Sequence, residues 1–288
     1  MVHSPQRTSL SGPALVRLLA RLSEAEVQAS SQSLADRLSQ WLGWTDAIAL
    51  STVLSAPATA SAVTNGARTN GEDEAQRCLS LRSTLSKAIA LDGVLAPAKA
   101  RRTGAYGHAR ALQPAPVPQA PVTDETDTDY AVFRQCYVAL QQKMESDIGD
   151  LRGRLRSRLA AVSPAMAKLA TLDAIMERSL AARERALLGA VPGLLGAHFE
   201  RLRKVAREAA AREAQAASGD APDAESASHA GDVQVQPAEG TATAQAAARA
   251  APGAWLDAFR KDVQSVLLAE LDVRFQPVEG LLAALRAH

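Results

Sequence analysis

The side chains that most often carry out chemistry in proteins are histidine, cysteine and closely placed carboxylates. The sequence has five histidines, which are scattered along the chain: His3, His108, His198, His229 and His288. No two of them have the spacing of ligands to one metal ion, and only His198 lies in a helical pattern. The sequence also lacks a glycine-rich phosphate loop and a nucleophile elbow. It therefore predicts a protein that is not an enzyme and that has no metal and no cofactor.

The two cysteines, Cys78 and Cys136, are far apart in the chain. Two isolated thiols are too few for a disulfide framework or a zinc site. Both lie in helical patterns with apolar neighbours, which favours buried structural thiols. The carboxylates stand at helix starts and on polar faces, where they are ordinarily solvated.

Four arginines alternate along one stretch of the sequence: Arg152, Arg154, Arg156 and Arg158. On a helix, Arg154 and Arg158 share one face and Arg152 and Arg156 share another, with leucines between them. This pattern is typical of solvated charges that flank a leucine seam between packed helices. Phosphate binding by the four arginines is the alternative, and it would make the chain a nucleic-acid-binding helical protein.

Four aromatic residues are candidates for contact with a partner protein: Trp41, Trp44, Trp255 and Phe259. Tryptophan is over-represented at the energetic hot spots of protein interfaces. The competing interpretation is that Trp41 and Trp44 pack inside a small N-terminal helical unit. Trp255 and Phe259 begin an apolar stripe, and we expect that stripe to dock on the protein's own helices, with a partner as the alternative.

The overall composition favours helices throughout. The chain has 288 residues, 47% of them hydrophobic but only 3% aromatic. Alanine, leucine, arginine, glutamine and glutamate, all good helix formers, are abundant, while β-branched residues are sparse. No convincing alternation of apolar and polar residues indicates a strand. The sequence therefore predicts an all-α fold, an elongated antiparallel helical bundle with disordered linkers.

The longest helical pattern covers residues 129–217 and is divided by Pro164 and Pro192. In its first part, apolar residues recur at steps of three and four: Phe133, Tyr137, Leu140, Met144, Ile148, Leu151, Leu155, Leu159 and Val162. Such spacing places side chains on one face of a helix. We predict three long helices that form a bundle over this range.

Segments of different composition precede this range. Residues 1–56 are predicted to form an N-terminal helical unit, and residues 57–95 a loop followed by one helix. Residues 96–128 are rich in proline, which favours an extended linker.

Two further segments follow the range. Residues 218–252 are acidic and alanine-rich, and they hold too few large apolar residues to offset their ordering entropy, so we expect a disordered loop. Residues 253–288 are predicted to form a C-terminal helical pair, because Pro277 is suited to the first position of a second helix. We expect this pair to dock on the bundle.

The sequence also bears on where the protein resides. Its N-terminus lacks the charged segment and continuous apolar core of a secretory signal. No window approaches the ~20 uninterrupted apolar residues that a membrane span needs. The formal net charge of +1 gives no strong field to attract nucleic acid or acidic lipid. We therefore expect a soluble, cytoplasmic protein.

Two N-terminal stretches carry a resemblance to a known family. They run from Pro5 to Leu19 and from Leu34 to Ile48, where the sequence reads LADRLSQWLGWTDAI. Together with residues 130–210 and 255–285, they resemble an uncharacterised bacterial family of conserved hypothetical proteins. The family has no assigned activity, so no functional residues carry over. The resemblance implies that the gene lies near genes for envelope proteins similar to flagellar stator and peptidoglycan-binding components. It therefore also implies that the protein is a cytoplasmic adaptor of such a complex.

These observations predict a non-enzymatic helical scaffold or protein–protein interaction protein. Its partner would be another protein, and a component of an envelope complex fits the resemblance. The nucleic-acid-binding protein described above is the alternative.

Overall fold

The computed structural model describes residues 12–25, 32–56, 70–96, 129–219 and 253–287. The proline-rich linker expected at 96–128, the loop expected from residue 57 and the loop expected at 218–252 lie outside the described residues, except at their edges. Regular structure in the described part is entirely helical, and its helices are α1 (Ala14–Ser23), α2 (Leu34–Trp41), α3 (Trp44–Ser55), α4 (Asn70–Ala90), α5 (Tyr130–Val162), α6 (Pro164–Gly189), α7 (Val191–Gly219) and α8 (Ala254–Arg286). The all-α prediction is confirmed.

The start of α5 and its reversal into α6 follow from local capping. The carboxylate of Asp129 accepts a hydrogen bond of 3.0 Å from the amide of Ala131, at the first turn of α5. Ser163 then ends α5 and caps α6, because its hydroxyl accepts from the amide of Met166 and Pro164 occupies the first helical position. A one-residue connection of this kind makes the two helices antiparallel neighbours.

The centre of the fold is a parallel pair formed by α5 and α8. Phe133 meets Phe259 near the start of the two helices, with ring centroids 5.2 Å apart. Further along both helices, the Tyr137 hydroxyl donates a hydrogen bond to Glu270. All but Val162 of the apolar stripe predicted for α5 is buried. α8 buries residues from Leu256 to Leu285, which makes it the most deeply enclosed helix described.

Two helices flank this pair. α4 is antiparallel to α5, since Cys136 near the start of α5 bonds Asp92 beyond the end of α4, and Arg154 near the other end of α5 bonds Glu74. α6 lies on another side of α5, while α1 and α7 pack near the first half of α8. The core is therefore built from helices that are far apart in sequence.

Two expectations from the sequence need correction here. Of the three long helices predicted over residues 129–217, α7 is buried only near its start, through Val191, Leu195 and Phe199, and its residues 207–215 are exposed. The C-terminal helical pair is one helix, which continues through Pro277. Proline in a helix interior costs about 3 kcal/mol, but Phe275 and the apolar residues after Pro277 continue one buried stripe, and their burial outweighs that cost.

Five aromatic side chains form a cluster where the first turns of α5, α7 and α8 meet. Tyr130, Phe133, Phe199, Trp255 and Phe259 have ring centroids 5.0–6.3 Å apart. These tilted and edge-on arrangements are the geometries that aromatic pairs prefer.

The cluster requires a glycine on α7. A Cβ atom at Gly196 would lie 2.8 Å from a ring carbon of Tyr130. The ring cannot easily move away, because its hydroxyl donates a hydrogen bond to the carbonyl of Pro192 and its faces pack against Phe199 and Phe259. Gly196 is thus retained in a helix despite its low helix propensity.

We predict opposite effects for two glycine-to-alanine changes in helices. Gly196→Ala should lower the free energy of unfolding by about 1–3 kcal/mol, because it overpacks the aromatic cluster. Gly153→Ala on α5 should raise it by about 0.5–1 kcal/mol, because a Cβ there meets nothing within 4 Å and alanine favours the helix. Urea denaturation measures both, and equal shifts for the two variants would contradict the packing described.

Candidate protein-binding surface

The two short helices α2 and α3 follow each other directly in the chain, and each begins at a cap that includes an aspartate. Ser33 precedes α2, and its hydroxyl accepts from the amide of Asp36 while the Asp36 carboxylate accepts from the amide of Ser33. At the start of α3, the Asp46 carboxylate accepts from the amide of Gly43 at 3.3 Å. The cap of α2 is therefore reciprocal, whereas at α3 only the Asp46 carboxylate takes part.

Both helices pack on the side of α6 that faces away from α5. At one end, the Lys168 amine donates to the carbonyl of Leu54 at 3.4 Å. At the other end, the Arg183 guanidinium lies over the Trp41 ring, 5.2 Å from its centroid. α3 therefore runs antiparallel along α6, and Ile175, which is buried, lies between the two contacts.

The opposite, outer face of α3 is apolar and exposed. Trp44 is 82% exposed, Ile48 51% and Leu54 65%. Ala47 and Ser51 on the same side are exposed as well. Helical spacing brings these five residues into one arc of about 120°. We name them the α3 outer face.

The four aromatic candidates from the sequence are placed in three different environments. Trp44 stands on the α3 outer face. Trp41 is half-buried beneath Arg183. Trp255 is half-buried and Phe259 is fully buried in the aromatic cluster, in contact with the protein's own helices. Of these four candidates, Trp44 is the one whose side chain is mostly exposed.

Arg152 and Arg156 form a four-residue ion network with α6. Arg152 binds Asp173 through two hydrogen bonds of 2.8 and 2.6 Å, and it donates to Glu177 at 3.2 Å. Arg156 binds Asp173 at 2.7 Å and Glu177 at 2.6 Å. The two arginines are four residues apart on α5, and the two carboxylates are four residues apart on α6. Because these helices are antiparallel and face each other, the two positive charges meet the two negative charges and offset them.

Arg154 and Arg158 turn toward α4. The Arg154 guanidinium lies 3.0 Å from a carboxylate oxygen of Glu74, and that of Arg158 lies 3.4 Å from the same oxygen. Glu74 is buried, so the positive charges of the two arginines offset the charge of a desolvated carboxylate. The four arginines thus pair with carboxylates of α4 and α6 and connect both helices to α5.

A buried polar cluster around Glu270 was not foreseen from the sequence. Its carboxylate, fully buried on α8, accepts hydrogen bonds from Tyr137 at 2.7 Å, from Gln141 at 3.0 Å and from Arg274 at 2.9 Å. Burial and the Glu270 charge raise the pKa of Tyr137, which keeps its hydroxyl a donor. Arg274, four residues after Glu270, was the sequence signal that could have identified the pair.

The two cysteines and His198 are likewise engaged within the fold. Burial and a hydrogen bond to Asp92 raise the pKa of the Cys136 thiol to about 12, and burial raises the pKa of Cys78. Such thiols carry little thiolate near neutral pH. His198 lies 2.9 Å from the carboxylate of Asp262. In the described ranges, no group of three or more potential ligands could hold a metal ion.

A cleft of about 640 Å³ opens between α5, α6 and α8, next to Trp41. Its wall includes Arg152 and Arg274, whose guanidinium groups are paired with Glu177 and Glu184. The charges in this wall therefore compensate one another, and the cleft defines no ligand class. Among the described helices, none is long and apolar enough to cross a membrane.

Comparison with known proteins gives one match. Residues 1–287 match the family described as Protein of unknown function (DUF3348). No curated protein and no solved structure matches the chain.

We predict that the network around Asp173 makes stability depend on pH. Burial raises the pKa of Asp173, but hydrogen bonds and charges from Arg152 and Arg156 outweigh burial, so the pKa lies below its ordinary value of about 3.8. Its contribution to stability is therefore present above that value and is lost as the pH falls through the lower pKa of the folded state. Asp173→Asn should lower the free energy of unfolding by about 1–3 kcal/mol at pH 7, and by less below pH ~3.8.

Asp147→Asn is the matched control. Asp147 pairs with Lys143 on the same helix at 2.9 Å, and the lysine side chain is 47% exposed. An exposed pair four residues apart is worth about 0.3–0.5 kcal/mol. Urea titrations of both variants across pH 3–7 make the comparison, and equal losses for Asp173 and Asp147 at pH 7 would show that the network adds no stability.

Proposed function

The chain belongs to the DUF3348 family of proteins of unknown function, and we propose that it is a non-enzymatic helical interaction protein that binds another protein through the α3 outer face. α5, α8 and their flanking helices would serve as a rigid scaffold that presents this face. Following the sequence, we propose the cytoplasm as its compartment. A component of an envelope complex is the partner that the family resemblance implies.

One observation supports this proposal above the others. Large apolar side chains lie on both faces of α3, and its single charged residue, Asp46, caps the helix. Helices that are apolar all round are normally buried. Yet no residue of α2 or α3 is buried, and the outer face carries Trp44, Ile48 and Leu54 in water. Clustered apolar side chains of this kind mark interaction sites on soluble proteins.

The energetics agree with a protein partner. Full burial of a large apolar side chain contributes roughly 1.5–3 kcal/mol, and tryptophan is among the residues most enriched at hot spots. The helix-in-groove mode of recognition uses such a stripe on one helix as its anchor. Because the face has no charge, its partner should offer an apolar groove rather than an acidic or basic surface.

The proposal is tested by site-specific crosslinking in the organism that makes the protein. A photoreactive amino acid in place of Trp44 should yield a discrete protein adduct after illumination. The same amino acid in place of Leu91 should not, because Leu91 is similarly exposed, at 78%, but lies after the end of α4 and outside the α3 outer face.

Two further measurements make the test specific. Trp44→Asp should abolish the adduct formed from a crosslinker at position 48 and leave the thermal midpoint unchanged within about 2 °C, because an exposed residue contributes little to stability. When the crosslinking is repeated in a cell lysate, raising the salt concentration should leave the adduct yield unaltered, since no ion pairs are involved. Equal adduct yields at positions 44 and 91, or none at 44, would overturn the proposed function.

A further inference from the structure

The short helix α1 packs against α7 and α8 through a stripe of leucines. Leu15 and Leu22 lie on one face of the helix, seven residues apart, and both are buried. Leu18 and Leu19, between them, are partly buried against the same core. α1 has only 10 residues, and an isolated helix of that length is marginal in water. Its helical structure therefore depends on the surface beneath it.

Neither end of α1 adds stability of its own. Pro13 stands at the N-cap position, and it makes no side-chain cap hydrogen bond. At the other end, the Ala25 amide donates to the carbonyl of Ala20. This turn holds Glu24 at a φ of 54°, in the left-handed region that favours glycine. α1 is therefore retained by its packing against α7 and α8, and it works against a strained C-terminal end.

Charged side chains align the C-terminal end of α1 on the two helices. Arg201 of α7 donates a hydrogen bond to the carbonyl of Leu22. Arg21 lies 3.9 Å from the carboxylate of Asp262 on α8, which also lies 2.9 Å from His198. The Arg21 side chain is 64% exposed, and ion pairs of exposed side chains contribute little to stability. These contacts therefore fix the register of α1 more than they retain it.

The α7 side of this surface extends beyond α1. One face of α7 carries four residues at steps of three and four: Leu194, His198, Arg201 and Val205. The middle two contact α8 and α1, whereas Leu194 is 41% exposed and Val205 is 63% exposed. α1 thus covers part of an apolar face that a longer helix would cover further.

We propose that α1 is a displaceable cover, and that the surface beneath it on α7 and α8 binds an amphipathic helix of a partner protein. α1 itself defines the chemistry of this occupant. The partner helix carries leucines at steps of three and four, a cation that meets Asp262, and C-terminal carbonyls that accept from Arg201. A partner helix longer than α1 buries more of the α7 face, which favours it over α1. This surface is separate from the α3 outer face, so the inference goes beyond the proposed function.

The first test is amide hydrogen exchange of the purified full chain. The amides of residues 17–23, which bond within α1, should exchange through local opening at a rate that depends little on urea. Those of α8 should exchange only through global unfolding, because α8 is the most deeply enclosed helix described. Equal protection of the two helices, with the same dependence on urea, would overturn the proposal that α1 opens separately.

Two variants of Glu24 test the role of the strained end. Glu24→Gly should slow exchange in α1 by about fivefold, because glycine adopts the left-handed conformation without the cost that other residues incur. Glu24→Ala is the matched control: it removes the same carboxylate but keeps a Cβ atom at the same φ, so it should not slow exchange. Equal rates in the two variants would contradict the argument that α1 docks against a strained end.

The second test is binding of a fluorescent peptide of residues 12–25 to the full chain. In the wild type, the tethered α1 competes at an effective concentration of about 1 mM. The peptide should therefore bind at least tenfold more tightly to Leu15→Asp with Leu22→Asp, whose own α1 cannot dock. A peptide that carries the same two aspartates is the control, and it should not bind. Equal affinity for the wild type and the double variant, or no binding to either, would overturn the proposal.

Further variants of the full chain locate the peptide. Added to the double variant, Arg201→Ala should weaken peptide binding by about tenfold, because it removes the donor to the terminal carbonyls. Arg207→Ala should leave the affinity unchanged, since Arg207 lies on the opposite face of α7. Glu24→Gly repeats the test without introduced charges: it stabilises the cover, so the peptide should bind it about fivefold more weakly than it binds the wild type. Equal effects of the changes at 201 and 207 would show that the peptide binds elsewhere.

Discussion

The packing of α8 along α5 is the contact on which the remainder of the structure depends. α8 begins after the segment 220–252, yet it supplies the most enclosed stripe in the core, and α1, α4 and α7 also pack against it. Because α8 is surrounded on so many sides, its polar residues had to be satisfied internally. Glu270 meets this requirement through Tyr137, Gln141 and Arg274. An unpaired carboxylate at that depth would cost several kcal/mol.

The sequence was a good guide to helices and their buried faces, and a poor guide to which helices pack together. The buried apolar stripe of α5 was identified because the spacing of its apolar residues is enough to predict one apolar helix face. The same reasoning placed α7 in the bundle, although its second half is exposed. It also ended a helix at Pro277, because the local cost of proline is visible in a sequence while the burial that outweighs it is tertiary. Glu74 and Arg154 illustrate the same limit, since nothing local relates residues 80 positions apart.

The tryptophans show what the sequence could not settle about the candidate surface. Trp41 and Trp44 lie three positions apart and have similar neighbours. The sequence therefore does not distinguish which of the two would contact a partner. The structure separates them because α2 ends at Trp41 and the Asp46 cap starts α3 at Trp44. One ring is thereby turned beneath Arg183 and the other into solvent. The change of direction between α2 and α3 depends on their caps and on their packing against α6. Periodicity within one helix cannot predict it.

The α3 outer face differs from the surfaces of the other helices because it lacks charge. Arginines and carboxylates of α4, α5, α6 and α8 meet in ion networks that join helices, so charge in these helices maintains the fold. α3 has its own single charge engaged in a cap. A partner that binds there gains no long-range electrostatic steering, so its association rate should lie near the 10⁵–10⁶ M⁻¹s⁻¹ of neutral surfaces. The specificity of the proposed contact must then come from the shape of its apolar surface.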